Sequence, residues 1–185
     1  MTWKILSSEY LIERPWLTAR RDCVQLPDGR IMDEYYVLEY PDWINIIAID
    51  KEGCMLLVRQ YRHGLGRTNF ELVAGVLEKD EDPLTAAKRE LLEETGYSGG
   101  EWHELMQLSA NSSTMTNITH CFVAAGVEKI ADQHLDATED LEVYTFTQEE
   151  VKSMVYRGEF MLALMVAPLL RYFQKSTNGL LISGK

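Results

Sequence analysis

The stretch KRELLEETG, residues 88–96, gathers Glu90, Glu93 and Glu94 into one turn and stops at Gly96. On a helix, positions i, i+3 and i+4 are surface neighbours, and like charges there repel by about 0.2–0.5 kcal/mol per pair. The C-terminal end of a helix also carries partial negative charge and prefers cations. Such a turn is either tolerated in solvent or relieved by a positive group between the acids, and on these three residues alone both readings stand. Several oxygen ligands on one rigid face suit a hard divalent cation, Mg²⁺ or Mn²⁺. No His/Cys set accompanies them, which argues against zinc. Upstream, Glu78 and Glu81 add acids, and Gly75 lets backbone come close. Arg89 can fork to a carboxylate and fix its orientation.

The elements that must position these residues follow from local pattern. Asp82-Pro83 reads as an N-cap with proline at the first helical position, so the helix runs to about Thr95 with Gly96 as its stop. Residues 22–40 read as two strands around the turn LPDG. WINIIAID (43–50) and CMLLVRQYR (54–62) are strong strands joined at Lys51–Gly53. FELVAGVLE (70–78) is a strand or an extended loop, and further strands fall around 102–109, 119–128 and 141–146. Residues 148–174 have helical spacing with a break near Arg157–Gly158, and Pro168 is placed to kink the second half. Strands, helix, strands, helices make an α+β chain with a mixed sheet and helices on its faces. The first forty residues, with Trp3, Trp16, Tyr35 and Tyr36, read either as an accessory sheet over a neighbouring subunit or as extra edge strands.

Composition bounds the function. The 185 residues carry a formal charge of −11, which argues against a basic nucleic-acid face and against binding to an anionic membrane. The longest apolar run, FMLALMVAPLL (160–170), is too short to span a bilayer. The N-terminus is broken by Lys4, Glu9, Glu13 and Arg14 and is not a signal peptide. Cys23, Cys54 and Cys121 form no C-x-x-C pair and suggest a reducing, cytoplasmic setting.

Read from Gly75 to Tyr97, the segment GVLEKDEDPLTAAKRELLEETGY resembles the Nudix box, G-x5-E-x7-R-E-U-x-E-E-x-G-U. Gly75, Glu81, Arg89, Glu90, Leu91, Glu93, Glu94 and Gly96 match, and Tyr97 is an aromatic where the pattern is usually aliphatic. With RQYRHG (59–64), FELVAG (70–75) and the acidic segment near 139, the chain is similar to the ADP-ribose and nucleoside-diphosphate-sugar pyrophosphatase branch of the Nudix hydrolases.

The resemblance implies a Nudix fold, a mixed β-sheet sandwiched between helices, in residues 43–185. Residues 1–42 would form a small antiparallel sheet that covers substrate and supports a homodimer. It implies cleavage of a nucleoside diphosphate sugar to NMP and sugar phosphate, with Mg²⁺ or Mn²⁺ as cofactor. Glu90 and Glu94 would be the principal metal ligands, joined by the Ala74 carbonyl and by Glu93, directly or through water. Arg89 would orient a box glutamate, Glu81. Glu139 would be the catalytic base, with Asp136 and Asp140 as substitutes, because Ala137 stands where relatives carry a further glutamate. Arg62 would reach substrate phosphate, with Arg59 and Arg67 nearby. Glu71 would contact metal, water or substrate, and Trp16 would stack on the base. A proline usual in ADP-ribose-cleaving members is replaced by the polar loop SANSSTMTNITH (109–120), with Ser112 and Ser113 at its place. ADP-ribose is therefore one of several nucleotide sugars in view. Hydrolysis of nucleoside triphosphates or dinucleoside polyphosphates, and a non-catalytic nucleotide-sugar sensor, remain alternatives.

Overall fold

The computed structural model describes residues 2–137 and 139–177, with side chains through residue 174. The end of the expected second domain, residues 178–185, lies outside the described residues. Contacts divide the chain into two compact units. Among the described residues, one comprises 2–42 with 109–118, and the other comprises 43–108 with 119–137 and 139–177.

The first unit is a three-stranded antiparallel sheet in the order β1 (Lys4–Arg14), β2 (Leu17–Gln25), β3 (Ile31–Glu39). The sequence pattern marks β3 and part of β2 but not β1, all eleven residues of which are exposed. Strand periodicity is legible only when one face is buried, and β1 buries neither. The β1–β2 turn places Trp16 at φ 66, in the left-handed region. Inside the sheet Asp22 is buried and accepts hydrogen bonds from Ser8 Oγ at 2.7 Å and Arg20 Nε at 3.1 Å. The 109–118 loop joins this unit through backbone bonds between Leu38 and both Thr114 and Thr116, and through the hydroxyl of Tyr35 on the Ser113 carbonyl.

The second unit is built on a mixed sheet. Its strands are β4 (Trp43–Asp50), β5 (Cys54–Arg62), β6 (Arg67–Glu71), β7 (Val73–Val76), β8 (Tyr97–Leu108), β9 (Thr119–Lys129) and β10 (Leu141–Thr147). The order is β10-β5-β4-β9-β8, with β6 on β5 and β7 on β4. β4 and β9 run parallel, and the other pairings are antiparallel. Residues 44–49 of β4 are all buried, as a strand covered on both faces requires. Ile44, Ile46 and Ala48 pack with Leu56, Val58 and with Ala86, Ala87 and Leu91 of helix α1 (Pro83–Thr95). Ile47 and Ile49 pack with Met55, Leu57 and with helices α2 (Gln148–Tyr156) and α3 (Ala163–Thr177). The alternation along β4 thus defines an α/β/α sandwich.

FELVAGVLE, left between strand and loop by its pattern, holds parts of two short strands. β6 pairs with β5 and β7 with β4, with Leu72 fully buried between them. The helical tail breaks at Arg157 and Gly158, the latter at φ 72. Pro168 lies inside α3, which runs through it.

Candidate active site

α1 is fixed at both ends by its own sequence. The Asp82 carboxylate accepts the Thr85 backbone N–H at 3.0 Å, and Pro83 presets the first turn. Gly96 adopts φ 75 and donates its N–H to the Leu92 carbonyl at 2.8 Å. A side chain at Gly96 would also meet the Ala131 carbonyl oxygen at 2.0 Å.

The acids then fall on two sides of this helix. Glu90 and Glu94, one turn apart, are buried, whereas the Glu93 side chain is 41% exposed. Arg89 gathers three carboxylates. Its Nε and Nη2 fork onto Glu81 at 3.0 and 2.9 Å. Its Nη1 donates to Glu90 at 2.8 Å and to Glu93 at 3.0 Å, and Nη2 also reaches the Val76 carbonyl at 3.2 Å. These partners raise the Arg89 pKa further, the Glu81 carboxylate contributing most. Arg89 in turn holds Glu81 below its ordinary value. Glu81 also accepts the Glu78 backbone N–H at 3.0 Å, which ties the preceding loop to the helix.

Glu94 is the outlier. Its Oε2 is buried with no hydrogen-bond partner. Burial drives its pKa well up, and the Glu90 charge adds to this. A backbone hydrogen bond from Ala74 opposes the rise, and the charge of Glu139 reinforces it. Burial also raises Glu90, against the pull of Arg89. Gly75 sits directly over Glu90, where an added Cβ would fall 2.0 Å from the carboxylate carbon. Its role is space, since its φ is not in the left-handed region.

A buried, unpartnered oxygen, two acids of raised pKa and a backbone kept open by glycine fit a hard divalent cation. Among the described residues, no three of His, Cys, Asp and Glu are arranged to hold a metal. Glu93, the third expected ligand, has its Oε2 on Arg89.

The remaining expected residues are distributed unevenly. Arg62 and Glu71 lie together, with Arg62 Nε at 3.0 and 3.1 Å from the two Glu71 oxygens and Nη2 at 2.6 Å from Oε2. Glu71 is fully buried, and the charges of Glu94 and Glu139 also act on Arg62. Glu139 is half-buried, accepts the Asp136 backbone N–H at 3.0 Å and raises both Glu90 and Glu94. Asp136 and Asp140 are exposed. Arg59 is turned to Glu142 at 3.6 Å and shares with Arg67, Asn69 and Phe70 a cavity of about 380 Å³ whose lining includes none of the box glutamates. Trp16 belongs to the other unit and is 70% exposed. Sequence reasoning treated Arg62 and Glu71 as separate contacts and missed their pairing. The available signal was an acid between Phe70 and Leu72, because a carboxylate inside an apolar run needs a buried partner.

Residues 40–163 match the family described as NUDIX domain, so the chain belongs to the Nudix family and is a Nudix hydrolase. Members of this family generally require divalent metal ions. Residues 3–38 match the family described as nucleoside diphosphate sugar hydrolase N-terminal domain. The chain is 31% identical to an ADP-ribose pyrophosphatase of Mycobacterium tuberculosis, over 95% of this chain and 86% of that one. It is 32% identical to the methanol dehydrogenase activator of Bacillus methanolicus over 80% of each, and 31% identical to a GDP-mannose pyrophosphatase of Escherichia coli over 68% and 69%. A crystal structure of an ADP compounds hydrolase superposes with a TM-score of 0.84 at 20% identity, covering 98% of both chains, which shows the fold. Among the described residues no helix is long and apolar enough to cross a membrane.

Proposed function

We propose that this chain hydrolyses the pyrophosphate bond of a nucleoside diphosphate sugar, ADP-ribose or a related compound, to NMP and a sugar phosphate. The observation that carries this reading is the buried, open Glu94 beside Glu90 in a helix whose other acids are tied to Arg89. Mg²⁺, with Mn²⁺ as a substitute, would be held by Glu90, Glu94 and the Ala74 carbonyl, with Glu93 joining directly or through water. Bound there, the ion would neutralise phosphate oxygens and acidify the attacking water. Arg89 keeps Glu81 and Glu90 oriented while Arg62 donates to a phosphate oxygen. Glu139 accepts the proton of the attacking water as the new P–O bond forms and the bridging P–O bond breaks. Trp16 offers an aromatic face for the base. Arg59 is the outlying substrate contact of this reading.

The reading includes a homodimer in a cytoplasmic setting. Its support is the exposed apolar surface of the first unit, with Ile5, Tyr10, Leu11, Ile12 and Trp16 among the exposed residues. The three cysteines are free thiols.

The test is product release from ADP-ribose, ADP-glucose, GDP-mannose, UDP-glucose, NADH, a diadenosine polyphosphate and dGTP, with Mg²⁺ and with chelator. Chelator-sensitive cleavage of one or a few nucleotide sugars is expected. Cleavage of dGTP or the polyphosphate alone would move the chain to another branch. Binding without turnover would make it a sensor.

A further inference from the structure

Arg62 and Glu71 lie nine positions apart on the hairpin of β5 and β6. Glu71 is opposite Val58 in register, and Val58 packs in the cluster beneath α1. Residues opposite one another share a face, so Glu71 lies on the same side of the sheet as the box helix. There it is fully buried, and both its oxygens are taken by one guanidinium. A carboxylate so enclosed and so engaged is poorly placed to offer an oxygen to a cation or a substrate. Arg62 uses Nε and Nη2 for this grip, and Nη1 makes none of these bonds. After Glu71, the charges acting on Arg62 are those of Glu94 and Glu139. Glu94 has the open buried oxygen that a free guanidinium would seek.

We infer that Glu71 is a positioning residue: its two-pronged grip on Arg62 keeps that cation off Glu94, leaving Glu94 open and the remaining Arg62 nitrogen free for a phosphate oxygen. This rests on the reading of Glu90 and Glu94 as the cation site. It assigns Glu71 a role exerted through Arg62, with no contact to metal or substrate.

The test is a double-mutant cycle on Mn²⁺ affinity of the substrate-free protein. Glu71→Gln frees Arg62 to pair with Glu94, so Mn²⁺ binding is expected to weaken at least fivefold. In an Arg62→Gln background the same change is expected to cost less than twofold. An equal loss in both backgrounds would make Glu71 a ligand and overturn the inference; no loss in either would reduce the pair to a structural contact. In the kinetic arm, both single variants raise KM for the best nucleotide sugar, and the double variant is no worse than Arg62→Gln alone.

Glu71 is fully buried, so a second measurement avoids variants at that position and uses the wild-type protein alone. The Arg62 Nε–H resonance is expected to exchange slowly with solvent, both before and after Mg²⁺ is added. Loss of that protection on adding Mg²⁺ would mean that Glu71 leaves Arg62, and would overturn the inference. Wild-type protein that binds Mn²⁺ but cleaves no nucleotide sugar would sink the proposed substrate while leaving the affinity cycle to decide the role of Glu71. Wild-type protein that binds no Mn²⁺ would sink the cation site, and with it the inferred purpose of the grip.

Discussion

The last turn of α1 and the strand β1 each leave uncovered what folding ordinarily covers. In α1 the unmet need is charge: Glu94 is buried with an oxygen that nothing donates to, beside a second buried acid. In β1 it is apolar surface: Ile5 is 54% and Tyr10 53% exposed, in a strand with no buried residue. A buried unpartnered acid costs about 1–3 kcal/mol or more, and exposed apolar patches mark binding surfaces. The two defects call for different chemistry. A cation would relieve the first, and a second apolar surface would relieve the second. A place where the chain alone is locally unfavourable is where a partner gains most by binding.

The largest expected effect breaks the charge half of this comparison. Glu94→Gln should lower kcat/KM by about 100- to 1000-fold, the range seen when one charge-stabilising group is lost from an active site, as steady-state kinetics with saturating Mg²⁺ would show. The same variant should make the metal-free protein more stable at pH 8, by about 1–3 kcal/mol, in thermal or urea unfolding. The sign follows from linkage. A carboxylate raised above its ordinary value of 4.5 stabilises the fold fully below that value and loses the contribution as pH rises through the raised one. The gain from Glu94→Gln should therefore shrink toward pH 4.5. Activity near wild type in this variant would refute the metal-site assignment.

Gly75→Ala comes next. The new methyl falls 2.0 Å from the Glu90 carboxylate carbon and must displace it. A shift of about 1 Å in a reacting group costs about 100-fold. Unchanged kinetics would show that Glu90 is free to move without loss.

The apolar half is tested with Ile12→Lys. A charge on this exposed strand should weaken self-association at least about tenfold, or 1.4 kcal/mol, in analytical ultracentrifugation. The fold itself should change by less than about 0.5 kcal/mol. A wild-type protein that is monomeric at every concentration would remove the second copy as the partner of this surface.

The smallest effect separates two acids of the same box. Glu81 is held below its ordinary value of 4.5 by Arg89, so its contribution is present above that pH and is lost as pH falls through the lowered value. Glu81→Gln should lower stability at neutral pH and converge with wild type under acid conditions, opposite in sign to Glu94→Gln. Parallel pH profiles for the two variants would contradict the distinction between a paired and an open acid.

Much of the candidate site was legible because its causes are local. The Asp82 cap, Pro83, the spacing of Glu90, Glu93 and Glu94 and the stop at Gly96 all lie on one helix, where three- and four-residue neighbours meet regardless of the rest of the chain. The Arg89–Glu81 contact, eight residues apart, was reachable through the box pattern. The β1 strand was not, since a strand exposed on both faces carries no alternation. The division of FELVAG into two strands was also hidden, because it depends on which neighbour each half pairs with.

By itself the sequence determined the family, the helix with its caps and the set of acids available for a cation, since each is written in adjacent residues and short periods. Only the tertiary structure decided what each acid does. Glu93 and Glu81 are satisfied by Arg89, Glu71 by Arg62, and Glu94 by nothing among the described side chains. That outcome depends on burial and on partners brought together by strand register, and charge in a protein is governed by surroundings that spacing along the chain does not contain.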